Sequence, residues 1–114
     1  MRIVNRIEFL KLPPGTLFSK YTPCFFDELM IKGTSLPNDF MYQDLIGNVK
    51  CSGVREFVDI LNSVEKTGVS FELDFDCQGR DGLFDSDQLF AIYEDEDVNQ
   101  LIHRLVNRFQ DEHI

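Results

Sequence analysis

The stretch Phe71-Glu-Leu-Asp-Phe-Asp-Cys-Gln-Gly-Arg-Asp-Gly-Leu-Phe-Asp-Ser-Asp-Gln-Leu-Phe-Ala-Ile-Tyr-Glu94 sets the fold class. Phe71, Leu73 and Phe75 alternate with Glu72, Asp74 and Asp76. A period of two puts apolar side chains on one face of a strand and carboxylates on the other. A second apolar run, residues 89–93, follows a loop rich in Gly and Asp, and the two runs together predict a β-hairpin.

On either side of this stretch the period changes. Val54, Phe57, Val58, Leu61 and Val64 recur at helical spacing, with Ser52 as the expected cap and Gly68 placed for a left-handed C-terminal stop. Val98, Leu101, Ile102, Leu105, Val106 and Phe109 trace a second helical stripe. Asp95 is its expected cap, with Glu96 and Asp97 in the positive first turn and Arg104 and Arg108 towards the negative end.

Nearer the N-terminus, Asn5 followed by Glu8 reads as a capping box, with Val4 and Phe9 spaced for a hydrophobic staple. Pro13 and Pro14 stop that short helix, and Pro14-Gly15 suits a type II turn. Strands are expected over 16–21, 28–33 and 40–46, separated by turn residues. The predicted order is α-β-β-β-α-β-β-α in one α+β domain over 1–114, an antiparallel or mixed sheet of about five strands with helices packed on one face.

Composition bounds the function. Hydrophobic residues make up 43% of the chain and eleven are Phe, which supports a packed core and argues against disorder. No apolar run approaches the roughly 20 residues of a membrane span, and the first residues lack the apolar core of a signal peptide, so a cytoplasmic protein is expected. Cys24, Cys51 and Cys77 are odd in number and lack a Cys-x-x-Cys pair, so reduced, mostly buried thiols are expected and zinc is not.

The net charge of -9 opposes direct binding to nucleic acid or to an anionic membrane. It is unevenly distributed: residues 1–22 carry +3, residues 23–68 carry -3 and residues 69–114 carry -9. Arg2, Arg6, Lys11 and Lys20 form the basic pole, for which a solvated helix face is the simplest expectation.

The acidic loop supports two chemistries. Counted from Asp74, oxygen-bearing side chains fall at positions 1, 3 and 5 (Asp74, Asp76, Gln78), with Gly79 at 6 and Asp85 at 12, a spacing that resembles the calcium loop of the EF-hand. It departs at position 8, which is Asp81, at position 12, where Asp replaces the longer Glu, and in its strand-like flanks. A plain Asp81-Gly82 turn is the favoured account. A divalent-metal module or small enzyme built on Asp74, Asp76, Gln78 and Asp85 is the alternative.

The other chemistry is electrostatic. Glu72, Asp74, Asp76, Asp81, Asp85, Asp87, Glu94, Asp95, Glu96 and Asp97 face Arg80 alone in residues 72–97, a density that steers a basic partner. Leu83 and Phe84 either fold back onto the core or, if exposed, form an aromatic anchor inside a charged rim.

Catalytic signatures are missing: there is no Gly-x-Ser-x-Gly elbow, phosphate-binding Gly loop or His-Glu-x-x-His helix, and His103 falls on the polar side of its helix. In size and charge the chain resembles small phage inhibitors of nucleic-acid-binding proteins and immunity proteins that block basic toxins. The expectation is a non-enzymatic acidic protein without a cofactor, binding a basic protein surface, such as that of a nuclease, through those ten acids and Phe84. A structural subunit, self-associating through Phe25, Phe26 or Phe84, is a further reading.

Overall fold

The computed structural model describes residues 1–108. Its described elements run β1 (Arg2–Val4), α1 (Arg6–Leu10), β2 (Leu17–Thr22), β3 (Phe25–Phe26), β4 (Met30–Leu36), β5 (Asp39–Asp44), β6 (Asn48–Val49), α2 (Val54–Thr67), β7 (Leu73–Asp74), β8 (Gly79–Arg80), β9 (Leu89–Ile92) and α3 (Asp95–Val106). Phe109 and His113 lie outside the described residues.

The fold is α+β, with seven strands in one antiparallel sheet. Its main path is β1-β9-β2-β4-β5-β8, and β3 pairs with the end of β2. Strands β6 and β7 form a separate two-stranded sheet. The strand count and the pairing therefore differ from expectation.

The predicted 71–75/89–93 hairpin does not form. Instead β9 lies between β1 and β2, with Ile3 opposite Ala91 and Ser19 opposite Ala91 on the other side. Leu73 pairs with Val49 in the small sheet, and Phe71, Leu73 and Phe75 are exposed. Their alternation is real, but a period of two says nothing about which strand will be the partner, and the core position they would have filled is taken by β1.

That core is aromatic. Phe9, Phe18, Phe40 and Phe90 are fully buried with Met30 and Ile92 beside them. Phe9 stacks on Phe90 at 4.0 Å and meets Phe18 at 4.7 Å and Phe40 at 4.9 Å. It comes from α1, where Asn5 Oδ1 accepts the Glu8 N–H at 2.9 Å; this is one half of the expected capping box, the Glu8 carboxylate pairing with Lys11 Nζ at 3.3 Å instead of returning to the Asn5 N–H. Val4 packs against the same cluster.

Among the described residues, α1 is the helix that buries side chains in this core. Neither α2 nor α3 contributes a buried residue, so the expectation that both stripes pack on the sheet is corrected. Their local signals are nonetheless in place. Gly68 ends α2 at φ 70°, its N–H bonded to Val64 O. Gly53, not Ser52, is the α2 N-cap, while the Ser52 backbone N–H and hydroxyl both donate to the Glu56 carboxylate. Glu94, not Asp95, caps α3, and Asp97 returns the bond from the Glu94 N–H to complete a capping box. The three cysteines, expected to be buried, are exposed and free.

One cation is enclosed by neutral oxygens. Lys32 is 1% exposed, with its ammonium donating to Ser35 Oγ at 2.7 Å and Gly33 O at 3.2 Å and lying 5.7 Å from the Phe9 ring centre. Burial pushes its pKa down, because the charged form is the one that loses hydration. A charge held at that cost is replaceable: Lys32→Met is expected to leave the thermal midpoint unchanged or raised at neutral pH, and in no case to cost more than about 1 kcal/mol. A larger loss in urea unfolding would show that the Ser35 and Gly33 bonds outweigh desolvation.

Candidate functional site

The acidic loop is held at both ends. At its entrance, the Asp81-Gly82 turn sits over a cluster of opposite charges drawn from distant parts of the chain. Asp39 Oδ2 accepts Arg80 Nε at 2.5 Å, and its Oδ1 accepts the Gly82 N–H at 3.1 Å and lies 3.6 Å from Arg6 Nη2. Asp81 Oδ1 accepts Lys20 Nζ at 2.6 Å, while its Oδ2 lies 3.4 Å from Arg6 Nη1. Arg6 also donates to Asn38 O at 2.8 Å and lies over the Phe40 ring.

The Asp39 side chain is fully buried, and those of Asp81 and Arg6 nearly so. Burial alone would raise the Asp39 pKa, but the Arg80 guanidinium and the Gly82 and Phe40 N–H groups outweigh it and hold the carboxyl below its usual value. Arg6 and Lys20 are thus structural counter-ions, not the solvated helix face expected of the basic pole.

At the exit, Gln88 Nε2 donates to Tyr21 O at 3.1 Å and Leu89 O at 2.7 Å, and the Gln88 N–H bonds Asp85 O at 3.3 Å. Between the anchors the chain turns outward. Leu83 is 68% exposed and Phe84 53% exposed. Phe84 adopts φ 52°, a left-handed conformation that a bulky side chain takes at a cost of about 1–2 kcal/mol. Asp85 Oδ1 accepts the Asp87 N–H at 3.0 Å, and both side chains face solvent.

The remaining acids are dispersed. Glu72 pairs with Lys50 at 3.3 Å beside the small sheet. Asp74, in β7, accepts the Asp76 N–H at 2.9 Å and the Cys77 thiol at 3.2 Å. These bonds lower the Asp74 pKa, and the same contact pushes the Cys77 thiol up. Glu94 and Asp97 cap α3 and bind the Met1 ammonium at 3.0 and 2.7 Å, while Asp95 and Glu96 are exposed in its first turn.

The loop and this helix start lie at opposite ends of β9, about 13 Å apart along the strand. The ten carboxylates that are dense in sequence are thus divided among three places, with Asp81 enclosed.

For the calcium-like spacing, Gly79 lies in β8 opposite Tyr42, so the segment from Asp74 to Asp85 runs from the small sheet to the large one. Among the described residues no group of three or more His, Cys, Asp or Glu side chains is placed to hold a metal ion. His103 is exposed, 2.7 Å from Asn107, and no described helix is long and apolar enough to cross a membrane.

The charge cluster was not visible as a unit in the sequence. Its one local signal is that Arg6 stands three residues before Phe9, which places a cation on the buried side of α1. No family model matches the chain, and neither a curated protein nor a solved structure is similar to it.

Proposed function

We propose that this chain is a small, non-enzymatic acidic protein that binds a basic surface of a protein partner, with the loop tip Leu83, Phe84, Asp85 and Asp87 as its contact. The carrying observation is Phe84: an aromatic side chain held outward in a strained backbone conformation, between carboxylates, on a loop fastened at both ends. Strain of this kind persists where the surroundings impose it, and an aromatic anchor inside a charged rim is the usual form of an interface hot spot. The anchors pre-organise the tip, which lowers the ordering cost of association.

In this reading Phe84 enters an apolar pocket while Asp85 and Asp87 meet Lys or Arg side chains around it. A nucleic-acid-binding protein is a fitting partner, since its phosphate-binding surface presents those cations. Asp81 is excluded from the contact because it is enclosed by Arg6 and Lys20.

The test uses the partner captured from the native cell and purified. Phe84→Gly removes the anchor and relieves the backbone, so it is expected to weaken binding about 30-fold or more while leaving the thermal midpoint unchanged or raised. Asp85→Asn with Asp87→Asn is expected to slow association and flatten its salt dependence. Full affinity in both variants would refute the proposed contact.

A further inference from the structure

Lys32 raises a question that stability does not answer. Arg6, the other buried cation among the described residues, lies beside the carboxylates of Asp39 and Asp81. Lys32 has neutral partners instead, Ser35 Oγ and Gly33 O, with the Phe9 ring near its ammonium. Burying a cation without a counter-ion opposes folding, and an apolar side chain of similar length would fill the same space. What an amine supplies there that a thioether does not is a base.

The backbone brings a nucleophile to it. Lys32 and Ser35 both belong to β4, and in a regular strand residues i and i+3 point to opposite faces. The strand bulges between them. Lys32 stands opposite Tyr42 and Ser35 opposite Phe40, so Gly33 and Thr34 together face Met41 and the Lys32 and Ser35 side chains share one face. The bulge requires glycine, because a Cβ on Gly33 would lie 3.0 Å from Met41 Cβ. Ser35 Oγ accepts Lys32 Nζ at 2.7 Å and donates to Leu10 O at 2.7 Å, which holds the hydroxyl in place. Ser35 is half-buried, while the amine behind it is closed off from solvent.

We infer that Ser35 and Lys32 are a nucleophile and its base, and that Ser35 accepts an acyl group from an activated ester. Neutral Lys32 Nζ takes the Ser35 hydroxyl proton as Oγ forms its bond to the carbonyl carbon. The bond from that carbon to the leaving oxygen then breaks, and the alkoxide departs with the electron pair and takes the proton from Lys32. The step ends at an acyl-serine and so adds a modification site to a binding protein. It does not involve Phe84, Asp85 or Asp87, so this inference and the loop-tip contact stand or fall independently.

The base has to be neutral, and its surroundings favour that form. Phe9 of α1, Tyr42 of β5 and Ser35 on its own strand face Lys32, and among the described residues no carboxylate pairs with it. Burial therefore lowers its pKa with nothing to offset it. Loss of one proton leaves a lone pair on Nζ, and the 2.7 Å hydrogen bond can then run from hydroxyl to amine.

The test treats the full chain with p-nitrophenyl acetate and locates the acetyl groups by peptide mapping. Ser35 is expected to be acetylated about 100-fold faster than the exposed Ser86 of the acidic loop. Its rate should rise with pH through a midpoint below that of an ordinary lysine, and should fall to the Ser86 level in Lys32→Met. A wild-type rate at Ser35 no greater than at Ser86 overturns the inference. So does an undiminished rate in Lys32→Met. Should that variant not fold, the wild-type pH profile decides alone: a midpoint at the ordinary lysine value means that Lys32 is not the base.

Discussion

Phe9→Ala is expected to destabilise the fold by about 3–5 kcal/mol, a large share of the 5–15 kcal/mol that holds a domain of this size together. The magnitude follows from how little else makes up the core. Phe9 is fully enclosed, stacked on Phe90 and in edge contact with Phe40, and it meets Phe18 at a tilt. Phe18, Phe40 and Phe90 also meet one another at 5.8–6.0 Å, but Phe9 makes the three closest ring contacts, so a cavity opened there strips each of them of its nearest aromatic neighbour.

Phe9 is also what docks α1. Five residues cannot sustain a helix alone, so loss of the anchor frees Arg6, and the charge cluster under the acidic loop goes with it. The variant should melt about 15 °C or more below wild type, and Phe9→Leu should recover most of the difference. If urea unfolding places Phe9→Ala within about 1 kcal/mol of wild type at equal m-value, the four-ring core does not hold the sheet.

What could be read along the chain was local. Asn5 and Glu8 specify the start of α1, Gly68 the end of α2, and the branched and aromatic run at 16–21 the strand observed at Leu17–Thr22, because each signal acts through neighbours a few residues away. Pairing was not legible, since it is decided by competition among strands. Residues Arg2–Val4 are too few to show a period, yet they take the edge of β9 that the run 71–75 was expected to fill.

The helical stripes misled for the same reason. A stripe states that a face needs cover, and Phe9 of α1 with the three phenylalanines beneath it had already closed the sheet's core. In the candidate site the charges were legible and their assignment was not. Asp81 resembles Asp85 and Asp87 in sequence, but the salt bridges of Lys20 and Arg6 to it depend on β2 and α1 meeting the loop in space.

That enclosed cluster supports the second large effect. Asp39→Ala is expected to cost about 3–5 kcal/mol, because it leaves Arg6 inside the fold without one of its carboxylates and deprives Arg80 and the Gly82 N–H of their acceptor. The pH dependence has a definite sign. With its folded pKa below the unfolded value, Asp39 contributes stability that is complete above about pH 4 and is lost as the pH falls through the folded pKa.

Wild type should therefore lose urea resistance steeply on the acid side of pH 4, and Asp39→Asn should be less stable at pH 7 with a shallower acid limb. Because the Asn side chain still accepts hydrogen bonds but carries no charge, the difference between Asn and Ala separates the bond to Gly82 from the pairing with the two arginines. An acid limb of equal slope in wild type and Asp39→Asn would mean that other carboxylates govern acid unfolding, and that the Asp39 pairing adds no stability beyond its hydrogen bonds.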